Sequence, residues 1–247
     1  MMHYRSVLVL VLLGAAWVNA QILSKLTLCS QSDPKFKECL KDAIPKGLAL
    51  LGAGVPELNI PPIDPMKMDK WDVIAEGSLT FPQTYTNIDI HGHTKGKVKD
   101  LDITLTDTDF FLSIDLICDE VDFQADYVYE NAILDGVDYS SKGKSSTMAF
   151  NYDSRNNFTG TIIKKDGEDY ISITKVDVES LGVEDMKFKI DSDDPEVGKK
   201  MAKLFNEKWR DMIKETKPKY TKIYAEIYKN EANAFFSKFP VNQIFPK

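Results

Sequence analysis

The chain has 247 residues, 43% of them hydrophobic and 28% charged, with a formal net charge of −7. That length supports one large domain or two small ones, and the composition excludes a disordered tail or a fibre. The negative field repels a phosphate backbone, so nucleic acid is not an expected partner, and three cysteines are too few for a small disulfide scaffold or a cysteine-only zinc site.

The N-terminus reads as a secretion signal. Met1 to Arg5 is a short basic region, Ser6 to Trp17 is an apolar run, and Val18-Asn19-Ala20 puts small residues before Gln21. Cleavage is expected after residue 20, because the run is shorter than the ~20 residues of a spanning helix. The later stretch Gly47 to Val55 is short and glycine-broken, so no stable membrane insertion is expected. The mature protein, 21–247, is read as one secreted, extracellular domain in which disulfides and glycans are permitted.

Asp33 and Pro34 are expected to start a helix as N-cap and first residue, with Phe36, Leu40, Ala43, Ile44, Leu48 and Leu51 along one face. Gly52, Gly54 and Pro56 stop it, and Ile60 to Pro65 is a proline-locked connector. Cys29 and Cys39 flank the helix start, a spacing that reads as a local disulfide in a secreted chain, with two unpaired thiols as the alternative. Cys118 is expected to be a buried, unpartnered thiol.

From Trp71 to Asp191 the pattern alternates, as in Leu101 to Leu105, Leu112 to Leu116, Val121 to Tyr127, Met148 to Tyr152 and Met186 to Ile190. An antiparallel meander with one apolar face is predicted. Breakers are placed at Gly96, Gly136, Ser140 to Gly143, Asn156-Asn157 and Asp166-Gly167. The sequon Asn157-Phe158-Thr159 therefore falls in an expected loop, as a candidate glycosylation site.

His91 and His93 lack a third metal ligand and are read as surface histidines near a turn. Gly143-Lys144-Ser145-Ser146 lacks the first glycine of a phosphate loop and is read as a hairpin turn. No nucleophile elbow, HExxH or Ser/His/Asp set can be assembled, so neither an enzyme nor a cofactor is expected.

Asp194 to Lys238 then returns to helical period, roughly 65 Å at 1.5 Å per residue, running through Pro218, with the acidic stretch Asp191-Ser192-Asp193-Asp194 read as its N-cap. Trp209, Met212, Ile213, Tyr220, Ile223, Tyr224, Ile227 and Tyr228 share its apolar face, and charged residues fill the other side. One long helix and a one-faced sheet imply a strongly curved antiparallel sheet wrapped along the helix, an α+β fold with an elongated apolar interior. Those eight residues are the candidate wall of a ligand tunnel. A core filled by side chains is the competing reading.

The chain resembles the insect takeout and juvenile hormone-binding protein family. The resemblance rests on Cys29-x9-Cys39 with Asp33-Pro34, on Ala43-Ile44-Pro45, and on Gly54 to Leu58 running into Pro61-Pro62-Ile63-Asp64-Pro65. Phe205-Asn206-Glu207-Lys208-Trp209, Pro218 and Phe239 to Pro246 extend it. It implies a tubular lipid-binding fold and a haemolymph or other extracellular carrier of juvenile hormone-like terpenoids, fatty acids or other lipids. Hormone-binding members have a second disulfide that Cys118 alone cannot form, which favours the takeout branch. A receptor-binding signalling protein and a lipid esterase are the alternatives.

Overall fold

The computed structural model describes residues 21–73 and 77–247. The predicted signal segment lies outside the described residues. A helix α1 (Phe36–Ala53) is followed by nine strands: β1 (Met66–Val73), β2 (Gln83–His91), β3 (Lys97–Leu105), β4 (Asp109–Tyr129), β5 (Ile133–Leu134), β6 (Val137–Asp138), β7 (Ser141–Lys165), β8 (Glu168–Gly182) and β9 (Asp185–Ser192). Helices α2 (Pro195–Phe236) and α3 (Val241–Ile244) close the chain.

The sheet is antiparallel, but it is not a simple meander. Its backbone is β4 paired to β7, strands of 21 and 25 residues. Each serves two partners in succession. β3 pairs along the first half of β4 and β2 along the second, while β9 pairs along the first half of β7 and β8 along the second. Inward positions on β4 are even-numbered up to Cys118 and odd-numbered from Val121. This change of phase falls where β7 carries Asn151 with φ 48° between the paired residues Phe150 and Tyr152. Asparagine tolerates that left-handed backbone at low cost. The expected breakers at Ser140 to Gly143 and at Asn156-Asn157 are corrected here: residues 141–165 are one strand. Gly143 is not a turn but a point of close approach, since a Cβ there would sit 2.0 Å from the Asp191 carbonyl oxygen.

Helix α1 starts later than expected. Asp33 Oδ1 accepts from the Lys35 N–H at 2.8 Å and so closes the preceding turn, leaving Lys35 as an N-cap without a side-chain bond. The long helix begins as its sequence implies, with Asp194 Oδ1 accepting from the Glu196 and Val197 N–H groups, and runs on through Pro218 to Phe236. The Cys29–Cys39 disulfide is present and Cys118 is free and buried.

Two asparagines fasten α2 to open strand edges. Asn206 accepts from the Phe188 N–H (2.9 Å) and donates to its carbonyl (3.0 Å), and Asn233 does the same for Ile173. Edge groups of β9 and β8 that no strand covers are thereby satisfied. Across the mouth, Glu215 accepts from the Ser78 N–H and hydroxyl. The helix thus lies along the opening of the curled sheet with its apolar face turned inward. Two hydrophobic clusters result, one around β2, the second half of β4 and the start of α2, the other around α1, β3, β8 and the C-terminus. Tyr228 packs against both.

Candidate functional site: two apolar cavities along the long helix

Only the first part of α2 is buried. Met201, Leu204, Phe205 and Trp209 are buried, whereas the inward residues from Met212 onward are half-buried. They face two cavities that follow one another along the helix.

The smaller, about 140 Å³, is lined by Trp209, Met212, Ile213, Tyr220 and Tyr224 from α2, and across from them by Trp71, Tyr85, Phe123, Tyr152 and Phe188 of the sheet. The larger, about 240 Å³, lies under α1 and is called here the α1 cavity. Tyr228, Glu231, Ala232, Phe235 and Phe236 supply its α2 wall, and Leu26 to Cys29 and Leu40 to Leu51 its outer side. Tyr224 and Tyr228, one from each cavity, are neighbouring rings with centroids 6.0 Å apart, and Tyr220 continues the row 5.7 Å from Tyr224.

Of the eight residues expected on the wall, Ile223 and Ile227 line neither cavity. Ile227 packs against the core instead. The reason is angular: the inward stripe follows 220, 224, 228 and 231, and Ile223 lies off its flank.

The polar groups inside the α1 cavity were not expected. His93 is one, and the surface reading of this residue is corrected. Gly92, with φ 89°, turns the chain where a Cβ would meet the Glu120 carbonyl oxygen at 2.4 Å. Asp64 Oδ2 then accepts from the Gly92 N–H (3.0 Å) and the Thr94 hydroxyl (2.7 Å), fixing the 3₁₀ turn His93–Lys95. The His93 ring points inward and stacks on Tyr228 with centroids 6.1 Å apart and planes at 26°. Neither of its nitrogens has a partner in hydrogen-bonding geometry among the described residues, although the Ile90 carbonyl lies near the ring. Burial pushes its pKa down, against the pull of the Asp64 carboxylate. Although burial opposes ionisation of Asp64 itself, the bonds from Thr94 and Gly92 hold its carboxyl below the usual range. His91, by contrast, is only half-buried, with Nδ1 3.7 Å from Asp64.

Glu231 is the second polar group. It stands on the inward face of α2, not the charged outer one, and burial pushes its carboxyl up to about 8. Asn156 is the third. Its Nδ2 donates to the Ser154 hydroxyl (3.1 Å), and its Oδ1 has no partner among the described residues. A sequence signal existed for Glu231 alone, since it follows Tyr228 at i+3 on the apolar stripe.

In the smaller cavity the hydroxyls of Tyr152 and Tyr220 have no partner in hydrogen-bonding geometry among the described residues, although Ser180 lies near both. Cys118 is buried close by, its thiol directed at the His93 carbonyl oxygen at 3.6 Å and pushed up to about 11 by burial. Among the described residues no cluster of three His, Cys, Asp or Glu side chains is placed to hold a metal ion. No described helix is both long and apolar enough to cross a membrane.

The fold is similar to that in the crystal structure of Epiphyas postvittana Takeout 1, with a TM-score of 0.76 at 16% identity over 90% of this chain and 100% of that one. Lipopolysaccharide binding protein gives a TM-score of 0.35 at 12% identity, over 72% of this chain and 37% of that one, too slight a likeness to bear on the fold. No curated protein matches the chain. The model of the haemolymph juvenile hormone binding protein family matches residues 7–246, nearly the whole length. The chain belongs to that family.

Proposed function

We propose that residues 21–247 form one secreted binding domain that carries an elongated, hydrophobic small molecule, a terpenoid, fatty acyl compound or other lipid, along the inner face of α2. The observation that carries this reading is the pair of apolar cavities facing α2 beyond Trp209, where a helix that only packed a core would be buried like its first four turns. Family membership supports a lipid or hormone carrier, and the apolar run at Ser6 to Trp17 supports secretion into an extracellular fluid such as haemolymph.

A filled-core signalling protein that acts only through a receptor is the poorer reading, because side chains do not fill this interior. A lipid esterase is poorer too, because no serine is among the described residues lining the α1 cavity, and the nearby Cys118 thiol is turned to the His93 carbonyl oxygen and kept protonated by burial. The test is organic extraction of protein purified from the medium of a eukaryotic host, followed by mass spectrometry. A stoichiometric hydrophobe is the expected result. An empty extract, with no uptake of a fluorescent fatty acid, defeats the carrier reading.

A further inference from the structure

The α1 cavity is apolar except for a few groups, and the unmet ones differ in kind. Asn156 is 3% exposed and its free Oδ1 only accepts. A neutral His93 offers one N–H and one acceptor nitrogen. Glu231, with no charge partner contributing to its raised pKa, is a protonated acid near neutral pH and offers an O–H. The cavity therefore presents both donors and acceptors to its occupant. Among the described residues no lysine or arginine lines it.

We infer that the α1 cavity seats a neutral hydroxyl head, that of a fatty or terpenoid alcohol, on Glu231, His93 and Asn156. The inference rests on the carrier reading and narrows it. A hydroxyl donates one hydrogen bond and accepts others, so it can satisfy Asn156 Oδ1 while taking a bond from Glu231 or His93. An ester or epoxide only accepts and leaves the buried Asn156 oxygen unmet, which is the costly outcome for a buried polar atom. A carboxylate only accepts as well, and it brings a charge into an apolar cavity that holds no cation to pair it.

The experiment displaces a phenylnaphthylamine dye from the full secreted protein near neutral pH with three probes of equal chain length: lauryl alcohol, lauric acid and methyl laurate. Lauryl alcohol is expected to bind at least tenfold more tightly than either. Asn156→Leu is expected to weaken lauryl alcohol about tenfold and leave methyl laurate unchanged or tighter. Glu231→Leu repeats this readout should Asn156→Leu fail to fold, and Glu231→Gln, which keeps a donor, should retain alcohol binding. Equal binding of the acid or the ester, or equal weakening of all probes by Asn156→Leu, overturns the inference and leaves the carrier reading standing. Displacement by none of the three also overturns the inference, whereas failure of the protein to take up the dye at all counts against the carrier reading.

Discussion

The side-chain amide of Asn233 stands in for a missing strand beside Ile173: its Oδ1 accepts from the Ile173 N–H and its Nδ2 donates to the Ile173 carbonyl, each at 2.9 Å. Ile173 is 2% exposed, so water cannot take over either bond. Asn233→Leu strands two buried backbone groups at about 1–3 kcal/mol each. We expect a loss of about 2–4 kcal/mol in a denaturant melt. Asn206→Leu breaks the equivalent pair at Phe188, but Asn206 is exposed and its loss should be clearly smaller. Equal costs at the two positions would mean that edge-filling is not what Asn233 contributes.

The architecture was legible because it is written in periodicity. Alternation marked the strands, and the 3.6-residue stripe with Asp194-Pro195 at its head marked α2 within two residues at each end. What was not legible depends on contacts far apart in sequence. Asn156 and Asn157 look like turn formers, yet they sit inside β7 because β4 and β8 pair it on both sides. His93 looks like a surface residue until Asp64, twenty-nine positions earlier, pins the turn that aims it inward. The long strands were read as shorter pieces because the inward phase changes between Cys118 and Val121, which breaks a strict alternation count.

Filling a cavity separates binding from stability. Ala232 lines the α1 cavity, so Ala232→Trp should occupy ligand space, abolish dye uptake and leave the melt within about 1 kcal/mol of the parent. Ile223 lines neither cavity, so Ile223→Trp should keep binding and cost about 1–3 kcal/mol if it meets packed neighbours. The reverse pattern would place the site on the other flank of α2.

The disulfide holds Cys29 against the α1 cavity, which Cys29 itself lines. Replacing both Cys29 and Cys39 with serine reopens a loop of about ten residues, which chain entropy values at on the order of 2–3 kcal/mol. Thiol titration of the unfolded, non-reduced parent should find one reactive group, Cys118. Three would mean that the bridge does not form in the secreted protein.

The sequon at Asn157 now has a different outlook. Its residue is half-buried in mid-strand, with Oδ1 enclosed and without a partner among the described residues. A glycan on the same amide would need the neighbours that enclose its Oδ1 to give way. We expect glycosidase treatment of the secreted protein to leave its mass unchanged, and a mass shift would show that Asn157 is modified before β7 closes.

Glu231 should leave a signature in the pH dependence of stability. Its carboxyl titrates near 4.5 when unfolded and is pushed to about 8 by burial in the fold. Between those values the unfolded chain has lost the proton that the folded one keeps, so stability falls as pH rises, by at most about 1.4 kcal/mol per unit. Above about pH 8 the effect is complete. Among the described residues, the titratable groups that share the cavity are His93 and Tyr228, and no lysine or arginine lines it. Tyr228 is held far above this range by burial. His93 acts with the opposite sign: its lowered pKa removes stability as pH drops below about 6.5. Glu231→Gln deletes the acid and keeps His93, so in the difference between variant and parent the histidine contribution largely cancels. Denaturant melts at about pH 5, 6.5 and 8 should show the Gln variant gaining on the parent at each step. A difference that stays constant across that range would mean that Glu231 is ionised in the folded protein, and the donor assigned to it in the α1 cavity would be lost.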